Sequence, residues 1–365
     1  MNVVVGLTKL NDYTGSEVYC LELVKALRQA GHQVEVFALY GSAELEAEVG
    51  RLGASLCIFP RPLRLRPDRA VCMHPLATAL LLHRIGRSVP ALSIVHGVIA
   101  GEAPVCATRI DRWIAVSPFV ADHLVEKEQL RWKDIRVVPN GIDLDRFKAP
   151  EVEAAPERVR VLWASTYLPL RKKALKALCA AVVERPDAEL TVVADLLPRG
   201  LVPKHNRIRV VEKSRDVVEL IHDHDVVAGL GPGRILLEAL AMNRAALCLN
   251  VDGAAVYLGA KNLERAEFYR DDWGGPVAPL LDPAVVLANS NRRGLAEARY
   301  DAAVNVTRVV GEVEQLSRRT WSPPRYRLVT LRRLPSLAFN LALVPWLKLS
   351  GRSAPRPPIL AGDGR

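Results

Sequence analysis

The stretch NVVVGLTKLNDYTGSEVYCLELVKALRQAGHQVEVF, residues 2–37, packs a strand, a helix and a second strand into one short unit. VVVGL is a continuous apolar run, the pattern of a strand buried on both faces of a parallel sheet. Residues 16–30 place apolar side chains at helical spacing and are closed by Gly31. Residues 34–38 return to the strand pattern. Between strand and helix lies KLNDYTGSE, residues 9–17, a polar loop. There Gly15 permits close backbone approach and Ser16 is placed to cap the helix. A helix N-terminus preceded by glycine is a natural anion site.

Working outward, the same alternation continues. Strand candidates fall at 54–59, 70–73, 92–95, 113–116 and 135–138, with helical stretches at 77–87 and 119–127. KAPEVEAAPE, residues 148–157, interrupts with two prolines and three acids and reads as a linker. The pattern then restarts, with strands at 159–163, 189–193, 208–211, 225–228 and 246–249. Helices at 172–183, 217–223 and 235–242 lie among them. The expected architecture is α/β with two domains, 1–147 and 158–299, followed by a long helix at 300–320. A basic, apolar-rich tail, 321–365, comes last. In open α/β sheets ligands bind beyond the carboxyl ends of the strands, so two such sheets facing each other would enclose a cleft.

Composition suits a packed globular protein. Half the residues are apolar and a quarter charged. The six cysteines form no CxxC pair and sit mostly in apolar runs, as reduced buried thiols of a cytoplasmic protein do. The N-terminus lacks the basic start and cleavage site of a signal peptide. The net charge of +10 is concentrated in the tail, where eight Arg/Lys stand against one Asp. Such a field fits an anionic membrane or a nucleic acid, or serves only to keep the chain soluble. The tail's apolar content favours the membrane interface over nucleic acid. Its longest uncharged stretch, 334–347, is too short for a bilayer span of about twenty residues.

Three further segments carry candidate chemistry. In GLGPGRILLEALA, residues 229–241, a glycine-rich turn joins a strand to a helix; the Gly231 and Gly233 amides would face a diphosphate, with Arg234 to pair with it. Glu238 lies one turn into that helix and reads either as a ligand contact or as a solvent-facing position. LPLRKKALKAL, residues 168–178, clusters Arg171, Lys172 and Lys173 at a βα loop, a phosphate site or a surface charge run. In SIVHGV, residues 93–98, His96 follows a buried strand and is a ligand contact or a structural residue.

These segments, in this order, resemble retaining GT-B glycosyltransferases of family four. IRVVPNGIDLDRF (135–147) is the most specific match. TGSEVYCLELVKALRQAGHQVEVF and IAVSPFVADHL are similar to other motifs of that family. The resemblance covers about residues 1–320 and implies two Rossmann-like domains, a nucleotide-sugar donor and no resident cofactor. It further implies that His96 lies near the reacting sugar, that Glu238 contacts the donor ribose, and that Lys172 stabilises the leaving diphosphate with the Gly231–Gly233 amides. Arg234, Arg171 and Gly15 would assist. Two family positions depart: the first glutamate of the second-domain motif falls on Leu230, and an arginine falls on Thr166. No DxD motif stands in a suitable loop; Asp271 and Asp272 are isolated, so metal-free transfer is expected. The implied acceptor is a glycan or lipid-linked molecule of polysaccharide biosynthesis, met in the cytoplasm or at the inner membrane face. A non-catalytic sugar-binding relative and a transferase acting on nucleic acid are the alternatives.

Overall fold

The computed structural model describes residues 1–11, 15–98, 109–165, 169–194, 197–211, 216–231, 233–263 and 274–317. They divide into two compact units. One comprises Met1–Pro139 and, after the chain leaves and returns, the described residues from Ala303; the other is Asn140–Ala302.

The first unit begins β1 (Asn2–Leu10), α1 (Gly15–Gln29), β2 (Gln33–Gly41), α2 (Ala43–Arg51), β3 (Ser55–Ile58), β4 (Arg69–Cys72). It continues α3 (Pro75–Ile85), β5 (Ala91–Val95), β6 (Arg112–Ala115), α4 (Pro118–Glu126) and β7 (Ile135–Val137). All strands pair in parallel in the order β3-β2-β1-β4-β5-β6-β7. Val3, Val5 and Leu7 face one apolar cluster and Val4 the other, as a doubly covered strand requires. Gly6 lets α3 approach: a Cβ there would stand 2.7 Å from Leu81 Cδ2. The expected loop at residues 9–17 is shorter than its polar sequence implied, because β1 runs on to Leu10.

The second unit holds β8 (Val159–Ala164), α5 (Lys172–Glu184), β9 (Ala188–Val193), β10 (Ile208–Val211), α6 (Val217–His222) and β11 (Val226–Leu230). It ends with α7 (Arg234–Ala241), β12 (Ala245–Leu249), β13 (Ala255–Tyr257), α8 (Pro283–Asn289) and α9 (Arg293–Arg299). Its sheet order is β10-β9-β8-β11-β12-β13, parallel except for β13, an antiparallel edge strand absent from the sequence reading.

The PNGIDLDRF segment acquires a physical reason here. Ile142 bridges to Asp301, and the Ile142 N–H donates to the Tyr300 carbonyl at 2.6 Å. A Cβ on Gly141 would overlap the Ala302 backbone, so only glycine allows this crossing. Asp143 Oδ1 accepts from the N–H groups of Asp145 and Arg146, a local turn that buries Phe147. Arg293 donates to the carbonyls of Phe147 (2.7 Å), Ala241 (2.6 Å) and Leu144 (2.9 Å).

The helix expected at 300–320 is α10, Ala302–Glu314, shortened at its start by the Tyr300–Ile142 pairing. Its buried face, Val306, Val309, Val310 and Val313, joins the first unit's core. Glu312 meets Arg112 at 2.5 Å, and Glu314 meets His32 at 2.9 Å. No helix among the described residues is long and apolar enough to cross a membrane. The tail at 321–365 lies outside the described residues.

Candidate active site

Each sheet has one point where strand order reverses: between β1 and β4 in the first, between β8 and β11 in the second. Beyond the carboxyl ends of such strands the diverging loops leave room for a ligand.

In the first unit, Lys9 near the end of β1 pairs with Glu17 at 3.4 Å. Glu17 is fully buried in the first turn of α1, where a carboxylate complements the helix dipole. Ser16 does not cap this helix. It lies inside the first turn and its hydroxyl donates to Glu17 Oε2 at 3.0 Å. Gly15 opens α1 with free space where a Cβ would sit, so the backbone there is approachable. His74 follows β4 and receives the Thr8 N–H on Nδ1 at 3.1 Å. Burial, aided by Lys9, pushes its pKa down to about 4, so the ring is neutral. His96 follows β5, and the Tyr19 ring meets it edge-on, 4.8 Å between centroids. Tyr19 is buried; that burial and the Glu22 charge raise its hydroxyl pKa. The Cys20 thiol is pushed up to about 12 by burial and then by Glu17, which keeps it protonated. Lys9, Tyr19 and His74 escaped the sequence reading. His74, like His96, ends an apolar run at the carboxyl end of an interior strand, and that parallel was the available signal.

In the second unit, Arg171 sits at the N-cap of α5 and its Nη1 bonds Ser165 Oγ, just past β8. Lys172 opens the helix, exposed, with no partner among the described residues. Lys173 turns away to Asp252 at 2.8 Å. Across the reversal point, β11 ends at Leu230, buried in the sheet's apolar cluster. Gly231 takes φ +65, a conformation that favours glycine. The expected role of the Gly231 and Gly233 amides needs correction. The Gly231 N–H donates to the Leu249 carbonyl at 3.0 Å, and the Gly233 N–H to the Gly231 carbonyl at 2.8 Å. Both donors are spent on shaping the turn. What remains at the turn is the start of α7, with Arg234 as its first residue.

Glu238 is not solvent-facing. It is 6% exposed, and its Oε1 accepts from Arg234 Nε at 2.8 Å. Thr166 and Asp271-Asp272 lie outside the described residues. Among the described residues no three His, Cys, Asp or Glu side chains are grouped to hold a metal ion.

Two doubly wound units, the second with Rossmann strand order and the first extended by one strand, define a GT-B fold. The glycosyltransferase from Rickettsia africae ESF-5 aligns with a TM-score of 0.64 at 14% identity, over 87% of this chain and 99% of that one. WaaG, a glycosyltransferase involved in lipopolysaccharide biosynthesis, aligns at 0.58 and 13% identity, over 86% and 100%. A UDP-N-acetylglucosamine 2-epimerase shares the fold at 0.51 and 14% identity, over 86% and 95%. No curated protein matches the chain by sequence. The fold alone therefore admits both transferases and an epimerase. Residues 13–146 match the family described as Glycosyltransferase Family 4. The two units thus have the GT-B fold, and the first of them carries a stretch similar to the family 4 glycosyltransferases.

Proposed function

We propose that the protein transfers a sugar from a nucleoside-diphosphate donor to a hydroxyl of a glycan or lipid-linked acceptor, with retention of configuration and without a metal. The observation that carries this reading is a charge placement that local stability disfavours. The N-terminus of a helix carries positive partial charge and prefers acids. Yet α5 follows Arg171 and opens with Lys172, which has no partner among the described residues, and α7 opens with Arg234, whose partner Glu238 lies a turn further on; neither helix has an acid in its first turn. Both helices follow the strands that flank the second sheet's reversal point. Basic side chains on two such helix ends repay their cost when an anion is bound there, and a diphosphate is the anion of this chemistry.

In this reading Lys172 and Arg171 neutralise the leaving diphosphate, doing the work of a metal. Arg234 contributes from the other helix, in place of the family's arginine. Glu238 receives ribose hydroxyls while anchored by Arg234. In the first unit, His96, packed against Tyr19, is the residue that the family resemblance assigns to the reacting sugar. Retention without a protein nucleophile is consistent with front-face attack by the acceptor. The involvement of WaaG in lipopolysaccharide biosynthesis supports a surface-glycan acceptor met at the inner membrane face.

A second reading is a sugar-binding relative without turnover. It draws on Leu230, which buries an apolar side chain where the family has a carboxylate. A thermal-shift panel of UDP-, GDP-, ADP- and TDP-sugars, with nucleoside diphosphate release followed in parallel, separates the two. Active transfer predicts a shift and release for one base. A shift without release would favour the binding relative, and no shift with any donor would contradict both.

A further inference from the structure

The overall net charge conceals a second basic region in the first unit. Between residues 59 and 87, Arg61, Arg64, Arg66, Arg69, Arg84 and Arg87 stand against one acid, Asp68. The connection from β3 to β4, residues 59–68, is not a helix but a strap of turns and bends, FPRPLRLRPD. It lies with α3 on one sheet face, where Phe59 and Leu63 pack against the cluster of Phe37, Leu39 and Cys57.

The strap is fastened along its length. Glu35, fully buried on β2, accepts the Arg64 N–H at 2.9 Å and the Leu65 N–H at 2.9 Å. The Cys57 thiol donates to the Arg61 carbonyl at 3.2 Å. Arg84 donates to the carbonyls of Pro60 (2.7 Å) and Arg61 while lying over the Phe37 and Phe59 rings. At the far end Asn2 donates its side-chain amide to the Arg66 carbonyl and its N–H to Asp68. Arg61, Arg64 and Arg84 crowd together: all three oppose the rise that burial and Glu35 impose on the Cys57 thiol.

A buried carboxylate is thus spent on backbone amides, while the guanidinium groups of Arg61, Arg64 and Arg66 stay exposed. None of the three has an ion-pair partner among the described residues. A fixed backbone lowers the entropy lost when such side chains bind. The opposite face of the same sheet carries α2, with Glu44, Glu46 and Glu48 against Arg51. Beside the strap, the two faces of the sheet therefore carry opposite charge. The arginines alternate with Pro62, Leu63 and Leu65 along the covering layer, which fits a flat polyanion better than one small anion.

We propose that this strap docks the first unit on a membrane rich in anionic phospholipid, with headgroup phosphates pairing to Arg61, Arg64 and Arg66. Arg84 and Arg87 add to the field, and the half-buried leucines meet the interface. Its residues are distinct in sequence from those of the basic tail and from those assigned to the donor, so it stands or falls independently of the transfer reading.

The test is co-sedimentation of the full chain with phosphatidylcholine vesicles, with and without phosphatidylglycerol. The wild type is expected to bind only when phosphatidylglycerol is present, and less as salt rises. Each arginine near such a surface is worth about fivefold in partitioning, so the triple variant Arg61→Gln, Arg64→Gln, Arg66→Gln should bind about 100-fold more weakly. The three Arg→Lys changes should retain most binding, and melting temperatures should not move, since the side chains are exposed. A full-length variant with Arg325, Arg327, Arg332 and Arg333 changed to Gln should lose less than the strap variant. Equal binding by strap variant and wild type, or no wild-type binding, would overturn the proposal. Strap-dependent binding tighter to a short DNA duplex than to vesicles would overturn the lipid assignment.

Discussion

Replacing Glu238 with alanine removes a carboxylate 2.8 Å from Arg234 Nε, in a pair whose side chains are 8% and 19% exposed. Deleting one partner of a buried pair costs about 3–5 kcal/mol. The access of Arg234 to water reduces this to about 2 kcal/mol. A unit of this size loses about 2–4 °C in Tm per kcal/mol, so the variant should melt about 4–8 °C lower. The fold survives but is weakened, because this carboxylate is part of the packed helix. If Glu238 also accepts ribose hydroxyls, a charge-assisted bond of about 1.5–3 kcal/mol is lost and Kd for the donor rises about 10- to 150-fold. Calorimetric melting and donor titration of Glu238→Ala, Arg234→Ala and the double variant separate the two effects. An unchanged Kd beside the expected fall in Tm would leave Glu238 as a partner of Arg234 alone. An unchanged Tm would refute the buried pair itself.

Lys172→Ala should lower kcat more than it raises KM, since charge on the leaving diphosphate grows in the transition state; equal losses would mark a ground-state contact. Gly141→Ala forces a Cβ to within 2.7 Å of the Ala302 Cβ and into its backbone, which should cost about 3 kcal/mol by thermal melting. A Tm like the wild type's would show that the crossing can move aside. His74 has its pKa lowered from 6.5 to about 4, so the unfolded chain takes up this proton first as pH falls. Its contribution is full above about pH 6.5 and is lost toward pH 4, about 3 kcal/mol in all. His74→Gln should flatten that part of the stability profile, and parallel profiles for both proteins would contradict it. Transfer activity should survive excess EDTA; loss restored by Mg²⁺ or Mn²⁺ would reveal a metal requirement.

The two-sheet architecture was readable because buried parallel strands are continuous apolar runs, and those runs match the observed parallel strands to within two residues except at the ends of β1 and β2, which run three residues further. β13 was not, since three residues pairing antiparallel at an edge leave no periodic signal. The strap of residues 59–68 was invisible for a related reason: its order comes from Glu35 and Arg84, remote in sequence. At the candidate site the segments were found but not their internal bonds. Gly231 and Gly233 looked like ligand donors because a glycine-rich turn gives no hint that its own amides are used within the fold. For Glu238 the sequence left a ligand contact and a solvent-facing position both open, because an apolar neighbourhood in sequence cannot reveal that Arg234 folds back on it. His74 was passed over although it sits as His96 does, at the end of an apolar run.

The central claim is that this chain breaks the sugar–phosphate bond of a nucleotide sugar and retains the anomeric configuration. Proton NMR of the anomeric signals, with the protein incubated over UDP-, GDP-, ADP- and TDP-sugars, tests it directly. One donor class should release its nucleoside diphosphate faster than buffer does, with the first sugar signal showing the donor's configuration. Absence of release from every donor, or conversion of the sugar while it stays attached to the nucleotide, would contradict it.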